Sequence, residues 1–303
     1  MRLLTRSDFD GLACAALLIE LGLVDSFKFV HPKDMQDGLI EVNENDIIAN
    51  VPYVPGCGLW FDHHSSEEER GSLKAQYKGM SRPAPSCARV IYDYYGGREK
   101  FGPDFDALMA GVDKADSAQF TIDEVLNPTG WVLLSFVMDP RTGLGRFRNF
   151  TISNYQLMEK LAHEIRHKSI EAIMEDPDVK ERVELYFEQA ERFKEMVKAH
   201  STVQQNVLIT DLRGVDPIYS GNRFIPYALF PEVNISIWSV KGKLDNCVFT
   251  CGKSIFDKSS AVNIGSIMLK YGGGGHFNVG TCQVVHDEAE ATLQALVAAF
   301  RDK

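Results

Sequence analysis

LWFDHHSS, at residues 59–66, is the stretch of sequence that decides the fold. Residues 58–61 are typical of a short buried strand, because they form an apolar run that stops at a polar triplet. Ligands in open α/β sheets collect beyond the carboxyl ends of strands, and Asp62, His63 and His64 fall at such an end. Since carboxylates and imidazoles bind divalent metals, the triplet predicts a metal site there. A solvated loop that carries two histidines is the alternative interpretation.

A second acidic cluster lies near the start of the chain. Asp8 and Asp10 follow the apolar run 3–5 and precede the helix-forming segment 12–20, which predicts the order strand, acidic turn, helix. Two carboxylates at i and i+2 along an extended backbone point to the same side, so they can share one cation or two adjacent cations. Alternatively, an Asp here caps the helix, which requires only one of the two.

The composition is that of an ordinary globular protein. The chain has 303 residues, 45 % hydrophobic and 24 % charged, which is enough for two domains with cores of their own. No segment is apolar for long enough to span a bilayer, and the six cysteines form no CxxC pair. We therefore expect a cytoplasmic protein with free thiols and no membrane partner.

The net charge of −10 limits the nucleic acids that the protein can bind. Proteins that coat long nucleic acid bind mainly by neutralising phosphates, which an acidic chain does poorly. A short phosphodiester or phosphate chain needs only a few local Arg, Lys and N–H groups, and bound metals add positive charge. The acidity therefore excludes long nucleic acid but not short anionic substrates.

Residues 1 to about 120 alternate strand-like and helix-like runs. We predict strands at residues 2–5, 27–30, 46–51 and 58–61 and helices at residues 11–23, 84–95 and 105–112. Ser86 is a candidate cap for the second of these helices. This βαβ rhythm predicts a parallel sheet with helices on its faces.

Residues 126–200 are typical of a connector between two domains. A Gly-, Pro- and Arg-rich loop at 127–150 is followed by helical sequence up to residue 199. The three arginines of the loop, Arg141, Arg146 and Arg148, could recognise phosphate through their planar guanidinium groups. More often such a cluster is a solvated connector.

In the last third of the chain, the period of the hydrophobic pattern changes. We predict strands at residues 203–210, 225–229, 233–240, 247–251 and 281–285, a hairpin loop at 241–246, and helices at 260–270 and 288–300. This pattern predicts a smaller α/β domain with a mostly antiparallel sheet.

Four glycines and a histidine follow one another at residues 272–276. Successive glycines let the backbone turn with positive φ, and their N–H groups can form an anion-binding nest. Gly273, Gly274, Gly275 and His276 are therefore candidate substrate ligands. A flexible turn between a helix and a strand is the alternative.

Together these motifs resemble the DHH phosphoesterase superfamily, over nearly the whole chain. They occur in the superfamily's order: DFDG at 8–11, DHH at 62–64, DKADS at 113–117 and GGGGH at 272–276. The resemblance implies the architecture of the exopolyphosphatase-like and oligoribonuclease-like members. Its parts would be a metal-binding DHH domain at 1–125, a loop and helical connector at 126–200, and a DHH-associated, substrate-binding domain at 201–303.

The resemblance also implies roles for individual residues. Metal ligands would be Asp8, Asp10, Asn50, Asp62 and His63, with Asp113 or Asp116. The catalytic residues would be Asp62, His63 and His64, and His64 would face the scissile phosphate as a donor or general acid. Substrate-binding residues would be Gly273, Gly274, Gly275, His276, Lys253, Ser254, Arg6 and Arg82. The substrate would lie between the metal centre and the glycine run.

The mixed carboxylate and imidazole set suits Mn²⁺, as one or two ions per chain, with Mg²⁺ or Co²⁺ also compatible. Three positions depart from the superfamily pattern. Arg6 stands where a His is common, Lys253 where an Arg is common, and Asn50 where an Asp usually bridges two metals. A neutral amide binds one metal through its oxygen but bridges two poorly, so this departure is compatible with one tightly and one weakly bound ion.

Two functions therefore stay open from the sequence. The first is an Mn²⁺-dependent phosphohydrolase that cleaves short phosphodiesters such as oligoribonucleotides or cyclic or linear dinucleotides, or polyphosphate. The second is a nucleotide- or polyphosphate-binding protein that has lost turnover. Both are compatible with a homodimer as well as with a monomer.

Overall fold

The computed structural model describes residues 1–64, 76–242 and 245–301. Two predicted features fall partly outside that range: the polar end of the opening stretch at 65–66, and the hairpin loop at 241–246. Within the described ranges, no helix combines the length and the apolar character that a bilayer crossing requires. All six cysteines are free thiols, and five of them are buried.

The chain divides into two compact units. The first consists of Met1–Phe120 and Pro128–Leu185, and the second consists of Thr121–Asn127 and Tyr186–Lys303. Each unit has its own sheet.

A parallel sheet forms the centre of the first unit. In the described part of this unit, five strands pair in the order β2-β1-β3-β4-β5. The strands are β1 (Arg2–Thr5), β2 (Ser26–Phe29), β3 (Asp46–Ala49), β4 (Leu59–Asp62) and β5 (Gly79–Ser81). The register aligns Leu3 with Phe27 on one side and with Ile47 on the other. The predicted parallel α/β fold is confirmed, and β5 is an addition that its short sequence did not indicate.

The first unit also contains helices: α1 (Phe9–Glu20), α2 (Pro32–Gln36), α3 (Cys87–Tyr94), α4 (Gly97–Phe101), α5 (Asp106–Asp116), α7 (Gly130–Met138), α8 (Asn154–Glu164) and α9 (Ile170–Met174). Helix α6 (Ile122–Leu126) belongs to the second unit, and α10 (Pro177–Ala199) begins in the first unit and ends in the second. Helix α1 is the central one, because residues 9–18 are all buried and it contacts α3, α5 and α8. A helix that is apolar all round is an interior helix, so its N-terminus lies inside the unit.

The predicted loop at 127–150 contains a helix, α7, and the prediction was wrong there. Its sequence GWVLLSFVM is apolar, but the Gly, Pro and Arg residues on both sides obscured the run. Trp131 stacks on Phe9 with ring centroids 6.1 Å apart, and Phe136 contacts Phe120 at 5.0 Å. Packing against α1 and the end of α5 therefore stabilises a helix that local composition did not predict.

The second unit carries the other sheet. In its described part, six strands pair in the order β10-β11-β9-β8-β7-β6, and all pairs except β7 with β8 are antiparallel. The strands are β6 (Ser201–Gln204), β7 (Val207–Leu212), β8 (Ile235–Lys241), β9 (Asn246–Lys253), β10 (Gly274–His276) and β11 (Val279–Val285), and the helices are α11 (Ile225–Leu229), α12 (Ile264–Leu269) and α13 (Ala289–Phe300). The predicted mostly antiparallel sheet is confirmed.

Two element predictions in this unit were wrong. Residues 225–229 form helix α11 instead of a strand; five apolar residues carry no clear period, and Pro226 fits a first helical turn. The predicted strand at 203–210 is a hairpin of two strands that turns at Gln205, which has a φ of 57°. The turn residues, Gln205 and Asn206, are not glycines, so no glycine marked the reversal of the chain.

An ion pair between Asp211 on β7 and Arg213, just after this strand, gives the second unit a pH-dependent contribution to stability. Arg213 donates to Asp211 at 2.6 and 2.9 Å, and the Ser239 hydroxyl donates at 2.9 Å. The Arg213 hydrogen bonds outweigh burial and lower the pKa of Asp211 to about 2. An unfolded Asp titrates at about 3.9, so this stabilisation is complete above about pH 4 and is lost as the pH falls toward the lowered value.

We expect Asp211→Asn to lower the free energy of unfolding by only about 0.5–1 kcal/mol at pH 7, because the pair is partly exposed and screened. Below about pH 4 the unfolding free energy of the wild-type protein should fall, and that of the variant should fall less. Urea unfolding at a series of pH values measures both. Identical pH dependence in the two proteins would contradict this account of Asp211.

Candidate active site

The turn between β1 and α1 gives Asp8 and Asp10 different environments. Asp8 is the N-cap of α1: its Oδ1 accepts the Gly11 N–H at 3.0 Å, and its Oδ2 lies 3.0 Å from Nε of Arg6. Gly11 is required because a Cβ there would lie 2.0 Å from the Arg6 carbonyl oxygen. Asp8 therefore caps α1, as the alternative interpretation of this cluster predicted. Asp10 is not needed as a cap.

Asp10 is buried at the N-terminus of a second helix. Its carboxylate accepts the backbone N–H groups of Cys87 at 2.9 Å and Ala88 at 2.8 Å, the first residues of α3. Helix N-termini favour negative charge. Even so, burial raises the pKa of Asp10 well above its usual value, and the charges of Asp116 and Asp8 raise it further. A carboxylate in this position needs a neighbouring cation to stay ionised at low cost.

The start of α3 is held by a network that includes Asp113. The Ser86 hydroxyl caps α3 by accepting the Arg89 N–H at 3.0 Å and donates to Asp113 at 2.7 Å. Arg89 donates to the same carboxylate at 2.6 and 2.9 Å. Asp113 is therefore engaged in an ion pair that positions α3, and it is Asp116, at the end of α5, whose carboxylate reaches Asp10.

Three side chains come together where Asp10 is buried, His63 is partly buried and Asp116 is exposed. One ligand atom from each of Asp10, His63 and Asp116 lies within 4.8 Å of the other two. His63 Nε2 is 3.2 Å from Asp116 Oδ2 and 3.8 Å from Asp10 Oδ2. Burial raises the pKa of Asp116, and the nearby imidazole of His63 opposes that effect. These atoms converge from α1, from the residue after β4 and from α5.

The orientation of His63 suits a metal ligand. Its Nδ1 is 3.1 Å from the Ala84 carbonyl oxygen, which can only accept, so Nδ1 donates there and Nε2 is the nitrogen that faces the carboxylates. Among the described residues, the buried His63 Nε2 and Asn50 Oδ1 have no hydrogen-bond partner, although the Asn50 amide donates to Asp8 at 3.2 Å. Unpaired buried acceptors beside carboxylates fit a divalent cation.

Asp62 forms a pair with His64 rather than joining this cluster. His64 Nδ1 lies 2.8 Å from Asp62 Oδ1, and Asp62 is 1 % exposed at the end of β4. Burial lowers the pKa of His64, but the hydrogen bond and charge of Asp62 outweigh it, so the pKa is raised overall. With Nδ1 held by a carboxylate, Nε2 is the atom available for proton transfer.

Arg82 directs its guanidinium away from this pair. Its backbone N–H donates to the Asp62 carbonyl at 3.2 Å, which extends the β4–β5 pairing by one residue. The guanidinium forms an ion pair with Asp93 on α3. The backbone of Arg82 therefore lies beside the site, while its charge is already paired.

In the second unit, the glycine run is partly a strand. Residues Gly274–His276 form β10 and pair antiparallel with β11. Gly273 is required by this packing, because a Cβ there would lie 2.0 Å from the Thr281 carbonyl oxygen. At Gly274, by contrast, a Cβ would meet no described atom within 4 Å. Gly275 and His276 are exposed with Gly274, so this edge of the sheet presents backbone to solvent.

Lys253 and Ser254 lie at the end of β9 in the same unit. Lys253 Nζ donates to the Ser260 carbonyl at 2.9 Å and lies 3.5 Å from the ring centroid of Phe277, which is half exposed. Ser254 is buried, and its hydroxyl accepts two backbone N–H groups of the following turn at 3.1 Å each. Ser254 thus shapes the turn, and the partly buried Lys253 forms a cation–π pair with the exposed ring of Phe277.

The chain has a close relative among proteins of known structure. It is 52 % identical to the pGpG-specific phosphodiesterase PggH of Vibrio cholerae, with 98 % of this chain and 97 % of that chain covered and a TM-score of 0.88. Neither a protein-family model nor a curated protein matches the chain.

Two more distant structures share the fold. An exopolyphosphatase-related protein of Bacteroides fragilis is 13 % identical, with a TM-score of 0.52 and coverage of 98 % and 91 %. RecJ of Thermus thermophilus in complex with Mn²⁺ is also 13 % identical at a TM-score of 0.52, and the match covers 99 % of this chain and 52 % of RecJ. Identity of 52 % over almost the full length of PggH is family-level similarity, and the chain therefore belongs to the DHH phosphoesterase superfamily.

Proposed function

We propose that this protein is a metal-dependent phosphodiesterase that hydrolyses short linear dinucleotides, with pGpG as the first substrate to test. The observation that carries the proposal is the 52 % identity to a pGpG-specific phosphodiesterase over 98 % of the chain. The grouping of Asp10, His63 and Asp116 beside the Asp62–His64 pair supports it, since phosphodiester hydrolysis needs both metal ligands and a proton donor.

Asp10, His63 and Asp116 would hold a divalent cation, with Asp8 and the orphaned oxygen of Asn50 beside them. When bound, the ion would lower the pKa of the attacking water and offset the charge on the phosphate. The mixed nitrogen and oxygen donors favour Mn²⁺, with Mg²⁺ as the alternative.

His64 would supply the proton for the leaving sugar oxygen. Asp62 holds Nδ1 of His64 and stabilises the imidazolium, which keeps Nε2 protonated and able to donate. Water then adds to phosphorus as the bond to the leaving oxygen breaks, and pGpG gives two molecules of GMP. The raised pKa of His64 agrees with a group that must be protonated before the reaction.

The second unit is proposed to bind the substrate. The exposed backbone of Gly274 can donate to a phosphate, and the exposed ring of Phe277 can stack on a base. The six free thiols fit a reducing compartment, so we propose that this activity belongs to the cytoplasm.

The role of the glycine run can be tested with a matched pair of variants. Gly273→Ala introduces a clash with a carbonyl oxygen and is expected to destabilise the β10–β11 hairpin by about 1–3 kcal/mol. Gly274→Ala should leave the melting temperature nearly unchanged and raise KM for pGpG about tenfold, because the added methyl blocks the approach of a ligand to the backbone. Thermal unfolding and steady-state kinetics measure these effects. A wild-type KM for Gly274→Ala would show that this backbone does not contact substrate.

The function itself is tested with a panel of pGpG, pApA, cyclic di-GMP, longer oligoribonucleotides and tripolyphosphate. Each is assayed with added Mn²⁺, with added Mg²⁺ and after chelation, and the metal content is measured on the same sample. We expect metal-dependent release of GMP from pGpG at the highest kcat/KM of the panel. Turnover of tripolyphosphate alone would identify an exopolyphosphatase, and calorimetric binding of pGpG without product under every condition would identify a binding protein.

A further inference from the structure

Helix α7 lies against the two helices that carry the candidate metal ligands. It contacts α1 and α5, and its aromatic contacts are with Phe9, beside Asp10, and with Phe120, four residues after Asp116. A 3₁₀ turn at Pro140–Thr142 follows α7 directly. The segment after α7 is therefore attached to the same helices as the metal centre.

A cavity of about 160 Å³ shows where this segment lies relative to the β1–α1 turn. Its lining includes Ser7 together with Met138, Asp139 and Pro140. Ser7 immediately precedes Asp8 in the chain. The segment that carries Asp139 and Pro140 thus faces the turn from which Asp8 and Asp10 emerge, with open space between the two.

Arg141 is held in this segment by one of its neighbours. Both its backbone N–H and its Nε donate to Asp139 Oδ1, at 2.9 and 2.7 Å. Among the described residues, no acceptor contacts its two terminal nitrogens, and the side chain is 48 % exposed. Arg82 and Arg89 differ, because they use terminal nitrogens to bind Asp93 and Asp113.

The guanidinium of Arg141 interacts electrostatically with carboxylates of the candidate site. Burial lowers the pKa of Arg141, but Asp139 and then the carboxylates of Asp8 and Asp116 outweigh it and raise the pKa overall. The guanidinium is therefore within electrostatic range of these two carboxylates, and among the described residues its hydrogen bonds are to Asp139 alone. A cation that is close to a metal site, anchored at one end and unpaired at the other, is suited to bind an anion that the metals also bind.

We propose that Arg141 is a phosphate-binding residue of the reaction, whose terminal nitrogens donate to non-bridging oxygens of the substrate phosphodiester at the metal centre. The proposal rests on the phosphodiesterase function proposed above. Asp139 is the matching positioning residue, since its carboxylate fixes Nε and leaves the terminal fork free. A planar fork matches two phosphate oxygens, and its charge opposes the negative charge that develops in the transition state.

The test compares Arg141→Ala and Arg141→Lys with Arg98→Ala. Arg98 is a control of equal charge in the same unit, since its side chain is 70 % exposed and pairs with Asp106, which is exposed as well. We expect Arg141→Ala to lower kcat/KM for pGpG about 100- to 1,000-fold and Arg141→Lys about tenfold, because Lys keeps the charge and loses the fork. Arg98→Ala should stay within about threefold of the wild-type value.

Binding provides a readout that does not depend on turnover. Calorimetric affinity for GMP should fall about tenfold or more in Arg141→Ala, while metal content and the far-ultraviolet circular dichroism spectrum stay at wild-type values. Asp139→Asn should weaken GMP binding less than Arg141→Ala does. If Arg141→Ala retains wild-type kcat/KM and GMP affinity, the proposal is overturned.

The two proposals fail in different ways. If the wild-type protein does not hydrolyse pGpG, the phosphodiesterase function is rejected, and Arg141 is then judged by the affinity of tripolyphosphate for the wild-type protein and for Arg141→Ala. Equal affinities of the two proteins for tripolyphosphate would overturn the assignment of Arg141. A lower affinity in Arg141→Ala than in the wild-type protein would support it.

Discussion

Asp10→Asn is expected to reduce bound metal to a small fraction of the wild-type content and to lower kcat for pGpG on the order of 10³-fold. Asp10 is one of three side chains whose ligand atoms converge within 4.8 Å, and it is buried. Cys87 donates to Oδ2 and Ala88 to Oδ1, so the single amide oxygen of the variant keeps only one of these two hydrogen bonds at the start of α3. The charge that holds a divalent cation is lost.

Asp113→Asn is the matched control for this variant. It also neutralises a carboxylate next to the site, but that carboxylate binds Arg89 and Ser86. We expect it to keep its metal and to lose about 1–3 kcal/mol of stability, because a partly buried arginine loses its partner. Metal analysis after dialysis and thermal unfolding with and without chelator measure both variants. If Asp113→Asn loses metal and Asp10→Asn keeps it, the assignment of the metal ligands is wrong.

His64→Ala is expected to lower kcat for pGpG about 10²- to 10⁴-fold without a change in metal content. The reason is that the leaving sugar oxygen needs a proton as its bond to phosphorus breaks. A p-nitrophenyl ester of a nucleoside 5′-phosphate has a leaving group that departs without protonation. On that substrate, His64→Ala should retain nearly the wild-type kcat.

His286→Ala serves as the control for this prediction, since His286 lies in the second unit at the 3₁₀ turn before α13. This variant should leave kcat unchanged on both substrates. Steady-state kinetics on both substrates, with metal content determined in parallel, completes the comparison. An equal loss of kcat on the two substrates in His64→Ala would mean that His64 does not act as the general acid.

Much of this architecture follows from local sequence. The apolar run that ends at Asp62 predicts β4, and the DFDG turn predicts β1 followed by α1, because a strand or helix that is buried on all sides leaves an unbroken apolar signal. Both helix-capping alternatives, at Asp8 and at Ser86, also correspond to the structure. These features depend on neighbours within a few residues.

The parts that the sequence did not indicate depend on contacts between distant residues. Whether Asp113 or Asp116 reaches the cluster is decided by Arg89 on another helix, which binds Asp113. The N–H groups that hold Asp10 come from residues 77 and 78 positions later in the chain. The orientation of the His63 ring is fixed by a backbone carbonyl. None of these partners leaves a pattern in the local sequence.

The enclosure of α1 has a consequence for how the site can be lost. Because residues 9–18 are surrounded on every side, the turn that carries Asp8 and Asp10 cannot fray by itself. Amide hydrogens of this helix should exchange with solvent only when the whole first unit opens. The geometry around Asp10 is therefore as stable as the first unit, and both are lost in a single cooperative unfolding transition.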